Sequence, residues 1–375
     1  MKTRRHIICT VTNDLNYDQR MIRICNSLAI NGYKVTLVGR RRANSLPLTQ
    51  RSFIQKRLTC RFQKGALFYA EYNLRLFFWL LLQRADCICA IDLDTILPCL
   101  FASQIKGTRR VYDAHELFCE MKEVVTRPSR YRLWKWIERL AVPKFSNGYT
   151  VCHPIAAEFQ QMYNVTYAVI RNVPFRTVSG LEPPTNTDAT TTNPLPSYLL
   201  YQGAVNEGRC FETLIPTMKQ VSCPLHIYGD GNFLAQTRQL IQENKLEQQV
   251  LLKGKLPPDE LRSVTSRAFA GITLFENNGQ SNYLSLAHRF FDYIQAGIPQ
   301  LCVNYPSYKE INEQFEVALL IDDTSADSIS RGLNLLLGDP VLYSRLRANC
   351  VKAAAFFNWE KEEQELLNFS STLFE

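Results

Sequence analysis

At 375 residues the chain is long for one core, and at roughly 100–200 residues per domain it reads as two domains; with 46% hydrophobic and 21% charged residues it can fill ordinary globular cores. Twelve cysteines, none in a C-x-x-C pair and most inside apolar runs, exclude a disulfide frame or a zinc site and fit a reducing, cytosolic setting. The net charge of +8 is uneven: residues 1–176 carry 28 Lys and Arg against 12 Asp and Glu, and residues 177–375 carry 15 against 23, so the first half expects an anionic partner, either a phosphate-bearing substrate or an anionic membrane surface, and no nucleic-acid-binding motif is present.

HIICTVT (6–12) is a short apolar run ended by Asn13 and Asp14, which marks a first strand rather than a signal peptide. A helical pattern from about Tyr17 to Ile30 stops at Gly32 and leads into KVTLVGR (34–40). LRLFFWLLLQR (74–84) is the most apolar window, bounded by arginines and far short of the roughly 20 residues a membrane span requires. It reads either as a core helix with charged edges or, with RPSRYRLWKWIERL (127–140), as a face resting on an anionic bilayer. CICAID (87–92), a helix after Asp94, RRVYDAH (109–115), a helix over 130–145 and GYTVC (148–152) complete the first half.

VSGLEPPTNTDATTTNPLPS (178–197) has no periodicity and reads as a linker. Strands then resume with YLLYQGA (198–204), LHIYGDG (225–231), VLLKGK (250–255), AGITLF (270–275), PQLCV (299–303) and VALLID (317–322), with helical patterns among them. Strand and helix alternating in this way predict an α/β fold of two doubly wound parallel-sheet, Rossmann-like domains facing across a cleft. The expected division is 1–177, the linker 178–197, a second domain over 198–356, and a last helix, 357–375, that returns to the first domain. In such sheets ligands sit beyond the carboxyl ends of the strands.

SLAHRFFDYIQAGIP (285–299) reads as a helix with Ser285 as N-cap and Gly297 closing it ahead of Pro299. His288 and Arg289 then occupy the first turn, the positive end of the helix dipole, where anions are favoured. A second cation recurs in YQGAVNEGRCFETL (201–214), where Gly203 and Gly208 let a ligand approach the backbone and Arg209 enters the next helix. Each arginine alone is an ordinary surface residue; two at the strand ends of one sheet are reconciled if both face a phosphate chain. Asp292, three residues after Arg289, is placed either to accept hydrogen bonds from ribose hydroxyls or to form a simple ion pair with Arg289.

Neither YGDGN (228–232) nor GKLPPDEL (254–261) is a G-x-G-x-x-G run, and no Walker pattern occurs, which argues against dehydrogenase and kinase readings. DLD (92–94) has the carboxylates for a divalent cation, but ends a strand and starts a helix, where Asp is a favoured cap. His115, ending a strand, is expected to project into the cleft as a donor to a sugar hydroxyl, or else to cap and pack. His6, His153 and His226 have no metal-ligand spacing.

Taken together, TNDLNYDQRMIRICNSLAINGYKVTLVGR, YDAHELF, VIRNVP, YQGAVNEGR, YGDG and NYLSLAHRFFDYIQAGIP resemble the retaining glycosyltransferases of family 4, which have the GT-B fold. The resemblance implies transfer of a sugar from a nucleotide-diphosphate donor, with no metal or other cofactor and with the anomeric configuration kept, to a saccharide or lipid-linked acceptor in polysaccharide biosynthesis. It implies that Arg209 holds the donor diphosphate, that Gly203 closes the first strand of that domain, that Asp292 binds the ribose, that Arg289 stands for a lysine of a common variant, and that His115 contacts the donor sugar. Gly229, Gly231, Lys255, Leu256, Leu286 and His288 complete the implied donor site. Many members carry Glu-x7-Glu, but the first position here is Leu284, and the arginine that often follows the first glycine is Ala204. Glu276 or Asn282 is the candidate substitute beside the donor sugar. The expected location is cytoplasmic, on the inner face of the membrane if the basic half docks there. A nucleotide-sugar epimerase and a non-catalytic sugar-nucleotide binder are the alternatives.

Overall fold

The computed structural model describes residues 4–16, 18–177 and 198–375, so the linker reading of 178–197 lies outside the described residues. The chain forms two compact units, Met1–Arg171 with Glu362–Glu375, and Asn172–Lys361. Residues 172–177 and 357–361 therefore group with the second unit, which differs from the boundaries read from the sequence.

In the first unit the strands are β1 (His6–Thr10), β2 (Lys34–Arg41), β3 (Ile54–Thr59), β4 (Cys87–Ile91), β5 (Arg109–Ala114), β6 (Gly148–Thr150) and β7 (Ala168–Val169). Its helices are α1 (Gln19–Ile30), α2 (Gly65–Leu82), α3 (Ile96–Lys106), α4 (Lys122–Val125), α5 (Pro128–Ala141) and α6 (His153–Tyr163). The sheet runs β3-β2-β1-β4-β5-β6-β7, parallel throughout. β4, CICAI, is buried at all five positions, as expected where helices cover both faces of a parallel sheet. Asp18 caps α1 by accepting from the Met21 amide, a favoured N-cap role.

The sequence pattern does not show β3, IQKRLT, because this outer strand alternates exposed and half-buried positions and has no apolar run. α2 buries one stripe, Phe68, Tyr72, Leu76 and Leu80, at the four-residue spacing of a single helix face. Leu67, Leu74 and Phe78 on the same helix are more than half exposed. Among the described residues no helix is long and apolar enough to cross a membrane.

The second unit contains β8 (Leu199–Gln202), α7 (Phe211–Thr217), β9 (Leu225–Tyr228), α8 (Leu234–Glu243), β10 (Val250–Gly254), α9 (Pro258–Thr265) and β11 (Ala270–Thr273). It continues with α10 (Gln280–Leu284), α11 (His288–Gln295), β12 (Gln300–Val303), α12 (Pro306–Phe315), β13 (Ala318–Ile321), α13 (Ala326–Gly338) and α14 (Pro340–Ala354). The strand order is β10-β9-β8-β11-β12-β13, again parallel. α15 (Trp359–Phe374) closes the chain, and from Glu362 onward it belongs to the first unit. There Glu362 pairs with Arg171 at 3.2 Å, and Phe369 lies edge-on to Tyr149. All twelve cysteines are buried thiols outside any disulfide, packing as small side chains.

The segment 285–299 is not one helix from Ser285. Ser285 ends α10 in an extended conformation, and α11 starts at His288 with Ala287 as its cap. The break is made by α12: the Tyr308 hydroxyl accepts the Ala287 amide at 3.1 Å, and Ser307 Oγ donates to the Leu284 carbonyl at 2.7 Å.

Candidate functional site

Both sheets reverse their strand order between a first and a fourth strand, β1/β4 in one and β8/β11 in the other. Loops beyond the carboxyl ends at such a switch point form the ligand crevice of doubly wound folds. In the second unit those segments are 203–210 after β8 and 274–287, including α10, after β11; they carry Gly203, Arg209, Glu276, Asn282 and Leu286, and His288, Arg289 and Asp292 follow on α11.

Gly203 adopts φ +123°, in the region that favours glycine. Its amide is held by the Tyr228 carbonyl at 3.0 Å, and the Gly229 amide by the Gly254 carbonyl at 2.9 Å. A Cβ at Gly229 would overlap the Gly203 carbonyl, and one at Gly231 would overlap Val205 and Asn206. These glycines thus let three strand ends close on one another. Lys255 is 72% exposed and pairs with Asp230, Leu256 packs on the cluster of Leu200, Val264, Ala268, Tyr293 and Ile298, and Leu286 is buried. No contact brings Lys255, Leu256 or Leu286 to the arginines among those described.

Arg209 does not enter a helix. It lies two residues before α7, whose cap, Cys210, has φ 60°. The left-handed turn places the Arg209 guanidinium over the Phe275 ring at 4.3 Å, and Arg289, from α11, lies over the same ring at 4.7 Å. Arg289 also stacks on Tyr201 at 4.7 Å, and a Cβ at Gly203 would stand 3.5 Å from its Nη1. Only 8% of Arg289 is exposed. Its hydrogen bonds are long ones, Nη1 to the Tyr201 hydroxyl at 3.4 Å and Nη2 to the Leu274 carbonyl at 3.5 Å, and its Nε has no hydrogen-bond partner. Tyr201 in turn donates to the Ala204 carbonyl at 2.7 Å, tying Arg289 to the loop after β8. Among the described residues no carboxylate pairs with Arg289. The two cations that the sequence set apart meet on one aromatic ring.

The ion pair between Arg289 and Asp292 is not formed. Asp292 instead receives Gln202 Nε2 on Oδ2 at 2.8 Å and faces His288 Nδ1 through Oδ1 at 3.3 Å. Gln202 is itself held by Thr265 at 2.7 Å, so the carboxylate is fixed while 29% of its side chain stays exposed. Asn282 Oδ1 accepts from Arg209 Nη1 at 3.4 Å, Asn282 Nδ2 donates to Asn278 at 3.0 Å, and Asn278 donates to Glu276. Glu276, Asn278, Asn282 and Arg209 therefore form one polar chain beside Gly208. Leu284, at the position of the missing acid, is buried. Phe275, Asn278, Tyr201 and Gln202 were not legible as site residues; the only signal for Gln202 was a polar side chain ending an apolar strand.

In the first unit the corresponding loops follow β1 and β4. Asp92 does not cap the turn after it. It has φ 54° and ψ 174°, a conformation that costs a non-glycine residue about 1–3 kcal/mol. This geometry lets Oδ1 accept the His115 amide at 2.9 Å and Oδ2 face His115 Nδ1 at 3.4 Å. His115 Nε2 lies 3.1 Å from Asp113, which pairs with Arg20 at 3.1 Å. Asp94 accepts from Thr12 at 2.5 Å, and burial raises its carboxyl to about 6. Among the described residues no cluster of His, Cys, Asp and Glu could hold a metal ion.

Burial disfavours the charged His115 ring, but the Asp113 and Asp92 carboxylates outweigh it and lift the imidazole to about 9. Because the folded value lies above the ordinary 6.5, the stabilisation is complete below about pH 6.5 and is lost as pH rises through about 9. The melting temperature is expected to fall across that window, and calorimetry of His115→Gln should show the slope removed.

Residues 191–355 match the family model described as glycosyl transferases group 1. A comparison with curated proteins gives no match. Among solved structures, sucrose-phosphate synthase from Thermosynechococcus elongatus is similar with TM-score 0.76 and 15% identity over 99% of each chain. Anabaena HepE in complex with UDP-glucose gives 0.74 and 13% over 98% of this chain and 99% of that one. WaaG, a glycosyltransferase involved in lipopolysaccharide biosynthesis, gives 0.73 and 15% over 96% and 98%. The fold is GT-B, two parallel-sheet α/β domains.

Proposed function

We propose that the protein is a glycosyltransferase that moves a sugar from a nucleotide-diphosphate donor to a saccharide or lipid-linked acceptor, retaining the anomeric configuration and using no metal ion. The observation that carries this reading is Arg289, a buried cation without a carboxylate partner among the described residues, sharing the Phe275 ring with Arg209. Breaking the bond between the sugar and the diphosphate leaves negative charge on the phosphate, and fixed cations in a water-poor site stabilise that charge without a proton or a metal. Asp292, held by Gln202, keeps lone pairs for ribose hydroxyls. Glu276, coupled through Asn278 and Asn282 to Arg209, supplies a carboxylate that the chain lacks at Leu284. The match to the group 1 model over 191–355 supports the reading, as does a neighbour bound to UDP-glucose. The first unit takes the acceptor, with His115 a cation held there by its two aspartates.

Arg209→Ala is expected to lower turnover at least about tenfold, which corresponds to about 1.4 kcal/mol of transition-state stabilisation. Steady-state release of the nucleoside diphosphate measures it, and an unchanged rate ends the assignment. Leu284 and Ala204 favour a second reading, a non-catalytic sugar-nucleotide binder. Calorimetry showing donor binding, with no transfer across an acceptor panel, would establish that instead.

A further inference from the structure

The first unit holds a cavity of about 680 Å³ that the donor chemistry does not use. One wall is α5, which contributes Arg130, Leu133, Trp134 and Ile137, the three- and four-residue spacing of a single helix face. The opposite wall is the start of α2, where Gly65, Ala66 and Ala70 line the space with Tyr69 and Asn73 in a helix otherwise rich in Leu, Phe, Tyr and Trp. Trp134 stands edge-on to Tyr69 at 5.5 Å and to Phe118 at 4.9 Å, so aromatic rings hold the walls apart while the small residues leave room between them. Leu93 and Leu97 are also in the lining. A largely apolar space of this size with few polar groups is a ligand pocket.

The rim indicates what fills it. Ala66, Ala70, Arg130 and Leu133 line the cavity and are exposed, so it opens to solvent there. Arg130 lies in the first turn of α5, which has no acidic residue, with Arg127 and Arg132 on either side in sequence. A cation at a helix start opposes the dipole, whereas an anion bound beside it relieves both. Two carboxylates are among the described lining residues, half-buried Asp94, whose carboxyl burial raises to about 6, and exposed Glu123 at the rim, against a basic first half. The same two helices expose Leu67, Leu74 and Phe78, and Leu133 and Trp136, each by more than half, which suits entry from a lipid surface.

We propose that this cavity binds the hydrocarbon chain of a single-chain lipid phosphate, with the chain between α2 and α5 and the phosphate at Arg130. The inference deepens the lipid-linked acceptor reading and rests on it for the ligand's role, while the binding itself does not depend on sugar transfer. The full chain is titrated with geranylgeranyl phosphate and with lysophosphatidate, each below its micelle concentration, and binding is followed by tryptophan fluorescence and calorimetry. UDP is titrated into the same preparation. Saturable binding of either lipid is expected, and the tighter of the two identifies an isoprenoid or an acyl source. Ala70→Phe, at an exposed wall position, is expected to weaken that lipid at least about tenfold by filling the cavity. Arg130→Ala is expected to weaken geranylgeranyl phosphate but not geranylgeraniol. UDP binding should be unchanged in both variants.

The proposal is overturned if neither lipid binds a protein that still binds UDP, if inorganic phosphate binds as tightly as the lipid phosphates, or if Ala70→Phe leaves lipid binding intact. Lipid binding that persists where UDP fails to bind would remove the donor assignment and leave this one standing.

Discussion

Arg289→Met is expected to lower kcat/KM for sugar transfer by about 10²–10³, the cost of removing one fixed donor from a site of developing negative charge. Arg289 is buried, holds its guanidinium over Tyr201 and Phe275, and has an Nε with no hydrogen-bond partner. Methionine keeps much of the length and the aromatic contact but carries no charge. The substitution forfeits cation–π attraction of about 0.5–2 kcal/mol and at the same time removes a buried charge that no carboxylate offsets among the described residues. Replacing buried charges with apolar groups of similar volume is often neutral or stabilising, so the melting temperature should stay level or rise. The combination of a slower enzyme and an equally stable fold separates a ligand-binding cation from a structural one. A variant that unfolds while the residual folded fraction keeps its rate would contradict the phosphate role.

Asp113→Asn should destabilise the first unit by about 3–5 kcal/mol, the range for breaking a buried ion pair from one side. Asp113 is 0% exposed and Arg20 is 4% exposed. Burial alone would raise the Asp113 carboxyl, yet Arg20 and His115 hold it below the ordinary carboxylate range. Removing the charge leaves the Arg20 guanidinium with the Ile170 carbonyl at 3.0 Å and a neutral amide in place of the carboxylate, and leaves the His115 imidazolium facing Asp92. Scanning calorimetry of the full chain reads the loss as a lowered first transition. The double variant Arg20→Met, Asp113→Leu should recover much of it, since two apolar groups need no partner; failure to recover would mean that the pair has no special role in stability.

The strands and the stops of the helices were legible because their causes are local. An apolar run such as CICAI reads as a strand buried on both faces, and Gly32 and Gly297 end helices wherever the chain is placed. β3 was missed for the same reason, since an exposed outer strand leaves no apolar run to read. Ser285 was misread because the interruption between α10 and α11 is imposed by Tyr308 and Ser307 of α12, about twenty positions further on. Arg209 falls before α7 rather than inside a helix, because a left-handed Cys210 is not encoded by any residue that ordinarily requires it.

By itself the amino-acid order determined two alternating α/β units, the charge asymmetry between the halves, and one arginine, Arg289, in a first helical turn where an anion is favoured. Tertiary structure alone decided that both arginines rest on Phe275, that Asn278 and Asn282 link Glu276 to Arg209, that Asp292 answers to Gln202 rather than to Arg289, and that Asp92 bends its backbone to hold His115. The reason is range: periodicity and capping act over a few residues, whereas these contacts join segments up to 90 positions apart, and the order of strands in each sheet sets which loop ends meet.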